Sequence, residues 1–112
     1  MKNYKIWSEK ERRQSLIKTK AAIATGAIPK AEELGCEWCG QKEGIIDYHN
    51  ENYSHPTKYL KALCWRCHMI HHSMYRNPEA FKKYFQRVAE GEQDPPVYKR
   101  DFNILREDYG IY

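Results

Sequence analysis

The fold is decided by the stretch from Cys36 to His72, which opens with Cys36-Glu37-Trp38-Cys39-Gly40 and closes with Leu63-Cys64-Trp65-Arg66-Cys67-His68-Met69-Ile70-His71-His72. All 4 cysteines of the 112-residue chain lie in these two segments. Two CxxC pairs supply four thiolates, which is the ligand set of a closed tetrahedral zinc site. We therefore predict a structural Zn²⁺ bound by Cys36, Cys39, Cys64 and Cys67.

The segment between the two cysteine pairs should hold secondary structure of its own, because its 24 residues exceed the usual spacing of a zinc ribbon. The run from Ile45 to His49 is short, rich in apolar residues and bounded by turn residues, so it predicts a strand. A second strand is predicted over 59–63. A helix over 67–75 would then carry His68 and His72 on one face, one turn apart.

Three histidines are candidates for a second metal site. Strand, strand and helix in this order can bring His49, His68 and His72 together around one divalent cation. Imidazole suits Zn²⁺, Ni²⁺ or Fe²⁺, whereas an oxygen-rich site would suit Mg²⁺ better. The candidates for the second cation are Mg²⁺, Mn²⁺, Ni²⁺ and Zn²⁺. Three protein ligands leave a coordination position open, which can polarise a scissile phosphate or stabilise a leaving 3′-oxygen.

The N-terminal part of the chain is basic. Residues 1–35 carry 8 Lys or Arg against 4 Asp or Glu, and this excess equals the net charge of +4 of the whole chain. Ser8 and Glu11 form a capping-box pattern that predicts a helix from about residue 9 to Thr25, with Leu16 and Ile17 on its apolar stripe. The cations form either a solvated face or a surface that contacts phosphates without reading sequence. The nucleic-acid-binding candidates are Lys10, Arg12, Arg13, Lys18, Lys20 and, inside the second CxxC pair, Arg66.

The C-terminal third predicts two further helices. Asn77 and Pro78 begin one that ends at Gly91 and whose aromatic side chains, such as Phe81 and Tyr84, should pack on the zinc core. Asp101 caps a last short helix. The apolar tail around Phe102 either docks on the domain or offers a surface to a protein partner.

We expect one small zinc-stabilised α+β domain, with a basic N-terminal helical arm over 1–35, a core over 36–76, and a C-terminal helix and aromatic tail over 77–112 packed on that core. Residues 1–7 are expected to form a leading strand or an extended arm. No apolar run approaches 18 residues and no secretory segment is evident, which predicts a soluble cytoplasmic protein with no membrane association. A reducing cytosol favours metal over the alternative of a secreted protein with two disulfides.

The chain resembles the small HNH endonucleases common in bacteriophage genomes, which have a ββα-metal fold with a four-cysteine zinc. The resemblance covers residues 12–72. Besides the two CxxC segments it is carried by the central segment, typically His-His-x-Asp-Tyr-Ser-x-Pro in the family and here His49-Asn50-Glu51-Asn52-Tyr53-Ser54-His55-Pro56. It implies an HNH-like ββα core between the N-terminal helix and the C-terminal helical extension. It also implies a DNA substrate, a divalent cation and, for a phage protein, the cytoplasm of a bacterial host.

By this resemblance His49, His68 and His72 are metal ligands, and the family's general base falls on Asn50. An amide cannot accept a proton at neutral pH, and losing general-base catalysis costs about 10²- to 10⁴-fold in rate. The family's eponymous Asn corresponds to Tyr59. Two alternatives restore a base: His55 could supply it, or His49 could be the base with Asp47 as the ligand. The candidate catalytic residues are therefore His49, Asn50 and His55.

We thus expect an HNH-like zinc protein that binds DNA with weakened catalysis. An active, metal-dependent nicking endonuclease is the first alternative, and a zinc-scaffolded protein-interaction module is the second. Two smaller expectations concern neighbouring aromatic residues. His71 should face solvent, and Trp38 and Trp65 should cover the zinc or, alternatively, stack on bases.

Overall fold

The computed structural model describes residues 7–50, 55 and 57–111. The predicted N-terminal strand or arm falls largely on residues 1–6, and most of the central segment, Glu51 to Ser54 and Pro56, also lies outside the described residues. Across the described ranges the chain is a small α+β fold with a two-stranded sheet and five helices. The elements are α1 (Glu9–Ala24), α2 (Ala31–Leu34), β1 (Ile46–Asn50), β2 (Leu60–Cys64), α3 (Trp65–His72), α4 (Pro78–Ala89) and α5 (Phe102–Tyr109).

The two strands pair antiparallel and lead directly into α3. Their register sets Ile46 opposite Cys64 and His49 opposite Lys61. The predicted order of strand, strand and helix is confirmed. Helix α3 begins two residues earlier than predicted, at Trp65, because the Cys64 side chain acts as its N-cap and accepts a hydrogen bond from the Cys67 amide.

The core lies between the sheet, α3 and the C-terminal helices. Leu63, Ile70 and Leu105 are completely buried, and Ile111 is nearly so. The Trp65 ring is also buried and meets Phe102 edge to face at a centroid distance of 5.5 Å. The apolar residues of the tail therefore dock on the domain. The predicted caps are confirmed, with Asn77 on α4 and Asp101 on α5.

Helix α1 begins with the predicted capping box between Ser8 and Glu11. The predicted apolar stripe is wrong, because Leu16 and Ile17 are 52% and 59% exposed while the helix buries Ser15 and Thr19. These small hydroxyl residues can be buried since Thr19 Oγ1 donates to the Ser15 carbonyl at 3.0 Å and Ser15 Oγ accepts from β1.

The segment that follows α1 contains the short helix α2. None of the helices in the described part of the chain is both long enough and apolar enough to cross a membrane.

Candidate metal centres

The four cysteines converge on one point beneath the sheet. Their sulfurs all lie within 4.8 Å of one another, and the Cys39 and Cys64 Sγ atoms are 3.6 Å apart. Four sulfurs around a zinc at 2.3 Å would be about 3.8 Å apart, whereas disulfide-bonded sulfurs are about 2.05 Å apart. All four are free thiols. The cluster has the donor set and spacing for a metal ion such as Zn²⁺, and it does not support the disulfide alternative.

The protein supports the sulfurs with several polar contacts. The Cys39 amide donates to Cys36 Sγ at 3.5 Å, and the Cys67 amide donates to Cys64 Sγ at 3.4 Å. The Tyr84 hydroxyl of α4 lies 3.0 Å from Cys67 Sγ, and burial together with the neighbouring sulfurs raises the pKa of this phenol. Tyr84 therefore stays protonated and can donate to a thiolate. The role of this hydroxyl as a support for a metal ligand was not visible in the sequence.

The structure also brings His49, His68 and His72 together. One ring nitrogen of each lies within 4.8 Å of the others, and the Nε2 atoms of His68 and His72 are 3.0 Å apart. Nitrogens around a tetrahedral metal at 2.0–2.1 Å would be about 3.3 Å apart. We call these three residues the histidine trio. Their donor set and spacing fit a second divalent cation.

Two members of the trio, His49 and His72, are held in the neutral form that a metal requires. Burial, reinforced by the neighbouring His71, lowers the pKa of His49 to about 3. Partial burial and the proximity of His68 lower the pKa of His72 to about 4, although its ring borders solvent. Both rings are therefore unprotonated at neutral pH, and each offers a lone pair to a cation without first losing a proton.

Asp47 lies behind the trio and contacts one member of it. Its Oδ2 atom is 3.5 Å from His68 Nδ1, which leaves His68 Nε2 to face His72. The Arg100 guanidinium donates two hydrogen bonds of 2.7 Å to the same carboxylate. Burial opposes ionisation of Asp47, but the contacts with Arg100 and His68 outweigh it and hold the pKa of the carboxyl well below its usual range.

This arrangement bears on the alternative in which Asp47 is a ligand and His49 a base. The Asp47 carboxylate contacts Arg100 and His68. It does not belong to the group of ligand atoms that converge at the trio. A carboxylate that accepts from the far nitrogen of a ligating imidazole is a common outer partner in metal sites. Asp47 thus lies in the position of such an outer partner, at 3.5 Å from His68.

Replacing Asp47 by Asn is expected to weaken divalent-cation binding at the trio by about 10- to 100-fold, the usual cost of losing an outer-sphere carboxylate. Calorimetric titration of Ni²⁺ or Mn²⁺ into the zinc-loaded protein measures this change. Glu43→Gln is the matched control, because Glu43 is an exposed carboxylate bonded to Tyr98. Equal affinities for Asp47→Asn and the unaltered protein would remove Asp47 from the site.

The other two candidate catalytic residues lie apart from the trio. Asn50 donates through its amide to Ser15 Oγ of α1 at 3.1 Å. Successive residues of a strand face opposite sides, which directs Asn50 away from the side that carries His49. His55 is exposed, with its ring 5.6 Å from that of Tyr59. Among the described residues, neither is brought to the converging nitrogens.

The expectation that His71 faces solvent is wrong. Its ring is half-buried and lies between Trp38, at a centroid distance of 5.1 Å, and His49, at 4.7 Å. The i, i+4 spacing predicts that His68 and His72 share a face of α3. The third histidine of this helix, His71, faces the first CxxC segment. Trp38 packs on Phe85 of α4 and contacts His71.

Arg66 must be removed from the nucleic-acid-binding candidates. It is only 8% exposed, and its guanidinium donates to the Pro95 carbonyl at 3.0 Å, the Tyr109 hydroxyl at 2.8 Å and Asp108 at 3.3 Å. It therefore anchors the C-terminal segment to α3. On α1, Lys10, Lys18 and Lys20 are exposed, Arg13 pairs with Glu9 at 3.4 Å on the surface, and Arg12 is half-buried.

Comparison of the chain with models of protein families, with curated proteins and with solved structures found no match, and none of these comparisons identifies an HNH endonuclease.

Proposed function

We propose that the chain is an HNH-like zinc protein that binds DNA and cleaves it slowly. In this proposal β1, β2 and α3 form a ββα-metal core, with Zn²⁺ at the four cysteines and a second divalent cation at the trio. The observation that carries the proposal is the convergence of His49, His68 and His72 at the junction of a strand and a helix whose first turn carries a zinc-ligand candidate, Cys67.

A divalent cation bound at the trio would supply Lewis acidity to a phosphodiester oxygen through its open coordination position. The chain's own residues prepare that position. Asp47 stands beside the far nitrogen of His68, and burial lowers the pKa of His49 so that its ring stays neutral. Lys61 stands opposite His49 in the sheet, so its ammonium adds positive charge on the same face. A phosphate is the group that this combination of charges attracts.

In this proposal the exposed face of helix α1 is the surface that binds DNA. Its exposed lysines can neutralise phosphates and release counterions, which makes binding steeply dependent on salt and insensitive to sequence. Asn50 ties α1 to β1 through Ser15, so the basic helix and the trio belong to connected elements. Since α1 packs on the Asn50 side of β1, a duplex that contacts α1 would have to continue around the end of the strand to reach the trio on the His49 side.

Slow cleavage follows from the residue at position 50. An amide cannot take a proton from water, and the Asn50 amide is engaged with Ser15. The second candidate function is an efficient nicking endonuclease. The specific observation in its favour is the Asp47 contact behind His68, since DNA binding alone requires no oriented metal ligand.

Supercoiled plasmid incubated with the protein and Mg²⁺, Mn²⁺, Ni²⁺ or a chelator tests both candidates. We expect salt-dependent retention of the DNA with every addition, and slow nicking only with a divalent cation. His68→Ala should remove the second metal equivalent and the nicking while keeping the zinc and the retention. Tyr75→Ala, which removes an exposed ring outside the trio, serves as the control.

Rapid nicking by the unaltered protein would favour the second candidate. Absence of DNA retention at low salt would contradict both, because neither can work without binding phosphates. Nicking that survives in His68→Ala would show that the trio is not the site of cleavage.

A further inference from the structure

An open groove lies beside the trio, between the first CxxC segment and α4. Its floor is aromatic and aliphatic, its volume is ≈ 470 Å³, and Glu37 and His71 stand among its lining. We call it the aromatic groove; its lining is formed by Glu37, Trp38, His71, Phe81, Phe85, Val88 and Ala89. The groove is large enough for a heterocyclic ring and offers it several faces on which to stack.

A single side chain, His71, lies between the groove and the trio and contacts both. His71 contacts His49 of the trio at 4.7 Å and Trp38 of the groove at 5.1 Å, with Phe81 at 6.5 Å on the groove side. The His71 ring is thus a shared wall, and a ligand bound in the groove lies one ring away from His49.

A cation stands at the boundary between the two. The Lys61 ammonium is 5.7 Å from the centre of the Trp38 ring, and Lys61 pairs with His49 across the sheet. It therefore faces the trio and the groove at once. A ligand with one anionic end and one flat, apolar end complements this arrangement of charge and aromatic surface.

We propose that the aromatic groove binds an unstacked base of single-stranded DNA whose phosphate lies at the trio and Lys61. Stacking on aromatic side chains accepts every base, which suits a protein whose basic helix reads no sequence. The Glu37 carboxylate can accept a hydrogen bond from an exocyclic amino group. Bases inside a duplex are already stacked and cannot enter, so single strands, frayed ends and junctions become the preferred substrates.

This inference rests on the proposed function, and it differs from a groove that holds an apolar helix of a protein partner. Such a helix would place apolar side chains against Lys61 and the imidazoles at one end of the groove, where they would lose hydration without gaining a partner. A nucleotide meets both ends with matching chemistry.

The test fills the groove. Ala89→Trp places a large side chain at an exposed position of its lining, whereas Gln86→Trp adds the same side chain to α4 outside it. The probe is a short single-stranded oligonucleotide containing 2-aminopurine, whose fluorescence falls when the base stacks. The same sequence as a duplex serves as the second probe. Zinc content and circular dichroism verify that each variant is folded.

We expect the unaltered protein and Gln86→Trp to quench the probe and to bind the single strand more tightly than the duplex. Ala89→Trp should lose quenching and bind the single strand about 5- to 150-fold more weakly, which corresponds to the loss of one base stacked on an aromatic side chain. Its affinity for the duplex should be unchanged. Phe81→Ala, which removes part of the stacking surface, should weaken single-strand binding in the same direction.

The base-binding proposal is overturned if the unaltered protein binds duplex and single strand equally and if both tryptophan variants do the same. That result would leave the proposed function intact. Loss of all salt-dependent DNA binding by the unaltered protein would instead overturn the proposed function, and the groove proposal with it. Displacement of the oligonucleotide by an apolar helical peptide but not by mononucleotides would assign the groove to a protein partner.

Discussion

Replacing Cys67 by Ala is expected to unfold the domain at neutral pH. Cys67 is fully buried, lies within 4.8 Å of the other three sulfurs and receives the Tyr84 hydroxyl. A structural zinc contributes on the order of 10 kcal/mol in small zinc modules, which equals the whole net stability of a typical domain. Loss of one ligand should therefore abolish the thermal transition, and so should prolonged exposure of the unaltered protein to a strong chelator.

The measurement is circular dichroism together with the zinc content of the purified protein. Ser73→Ala is the matched control, because Ser73 is equally buried just after α3 but donates its hydroxyl only to the Ile70 carbonyl. We expect that control to lose about 1 kcal/mol and to keep its zinc. A Cys67→Ala protein with a normal melting transition would show that the four cysteines do not hold the fold together.

The two candidate metal sites are coupled through α3, which carries Cys67 for one and His68 and His72 for the other. Its N-cap is Cys64, so the first turn of the helix is fixed by the sulfur cluster. Loss of zinc should therefore separate the ligand residues of both sites. Loss of a cation from the trio should leave the sulfur cluster intact. This asymmetry predicts the order in which a chelator of increasing strength empties them.

Local sequence signals were sufficient for much of the fold. The paired CxxC segments, the apolar run before His49 and the capping residues Ser8, Asn77 and Asp101 all act over a few residues, and each predicted its element. Helix α1 shows where such signals fail. Its sequence offers Leu16 and Ile17 as the buried face, but contact with Asn50 selects the small residues Ser15 and Thr19 instead.

The trio was accessible from sequence because His68 and His72 lie one helical turn apart and His49 ends an apolar strand. Its supports were not, since they depend on contacts between distant parts of the chain. Arg100 binds Asp47, which is 53 residues away in the sequence. Arg66 is buried because it binds Asp108 and Tyr109, which are 42 and 43 residues away. No periodicity or motif encodes such pairs, so a buried arginine looked like a surface one.

Restoring an imidazole at position 50 is expected to increase plasmid nicking by about 10²- to 10⁴-fold, the usual contribution of a general base. The structure indicates how the variant should be made. Because the Asn50 amide donates to Ser15 Oγ at 3.1 Å, Asn50→His alone can retain that contact and stay turned toward α1. The double variant Asn50→His with Ser15→Ala removes the partner, so that the new ring, at the last residue of β1, is no longer held against α1.

Ser15→Ala alone is the control, and it should nick no faster than the unaltered protein, since it frees the amide without supplying a base. Adding His68→Ala to the double variant should abolish the gain, because a base is useful only beside a polarised phosphate. Rates are compared at saturating Mn²⁺ with the fraction of open-circular plasmid as the readout. A double variant that folds, binds two metal equivalents and still nicks no faster would mean that something other than a missing general base limits cleavage, and the explanation of slow cleavage by Asn50 would have to be abandoned.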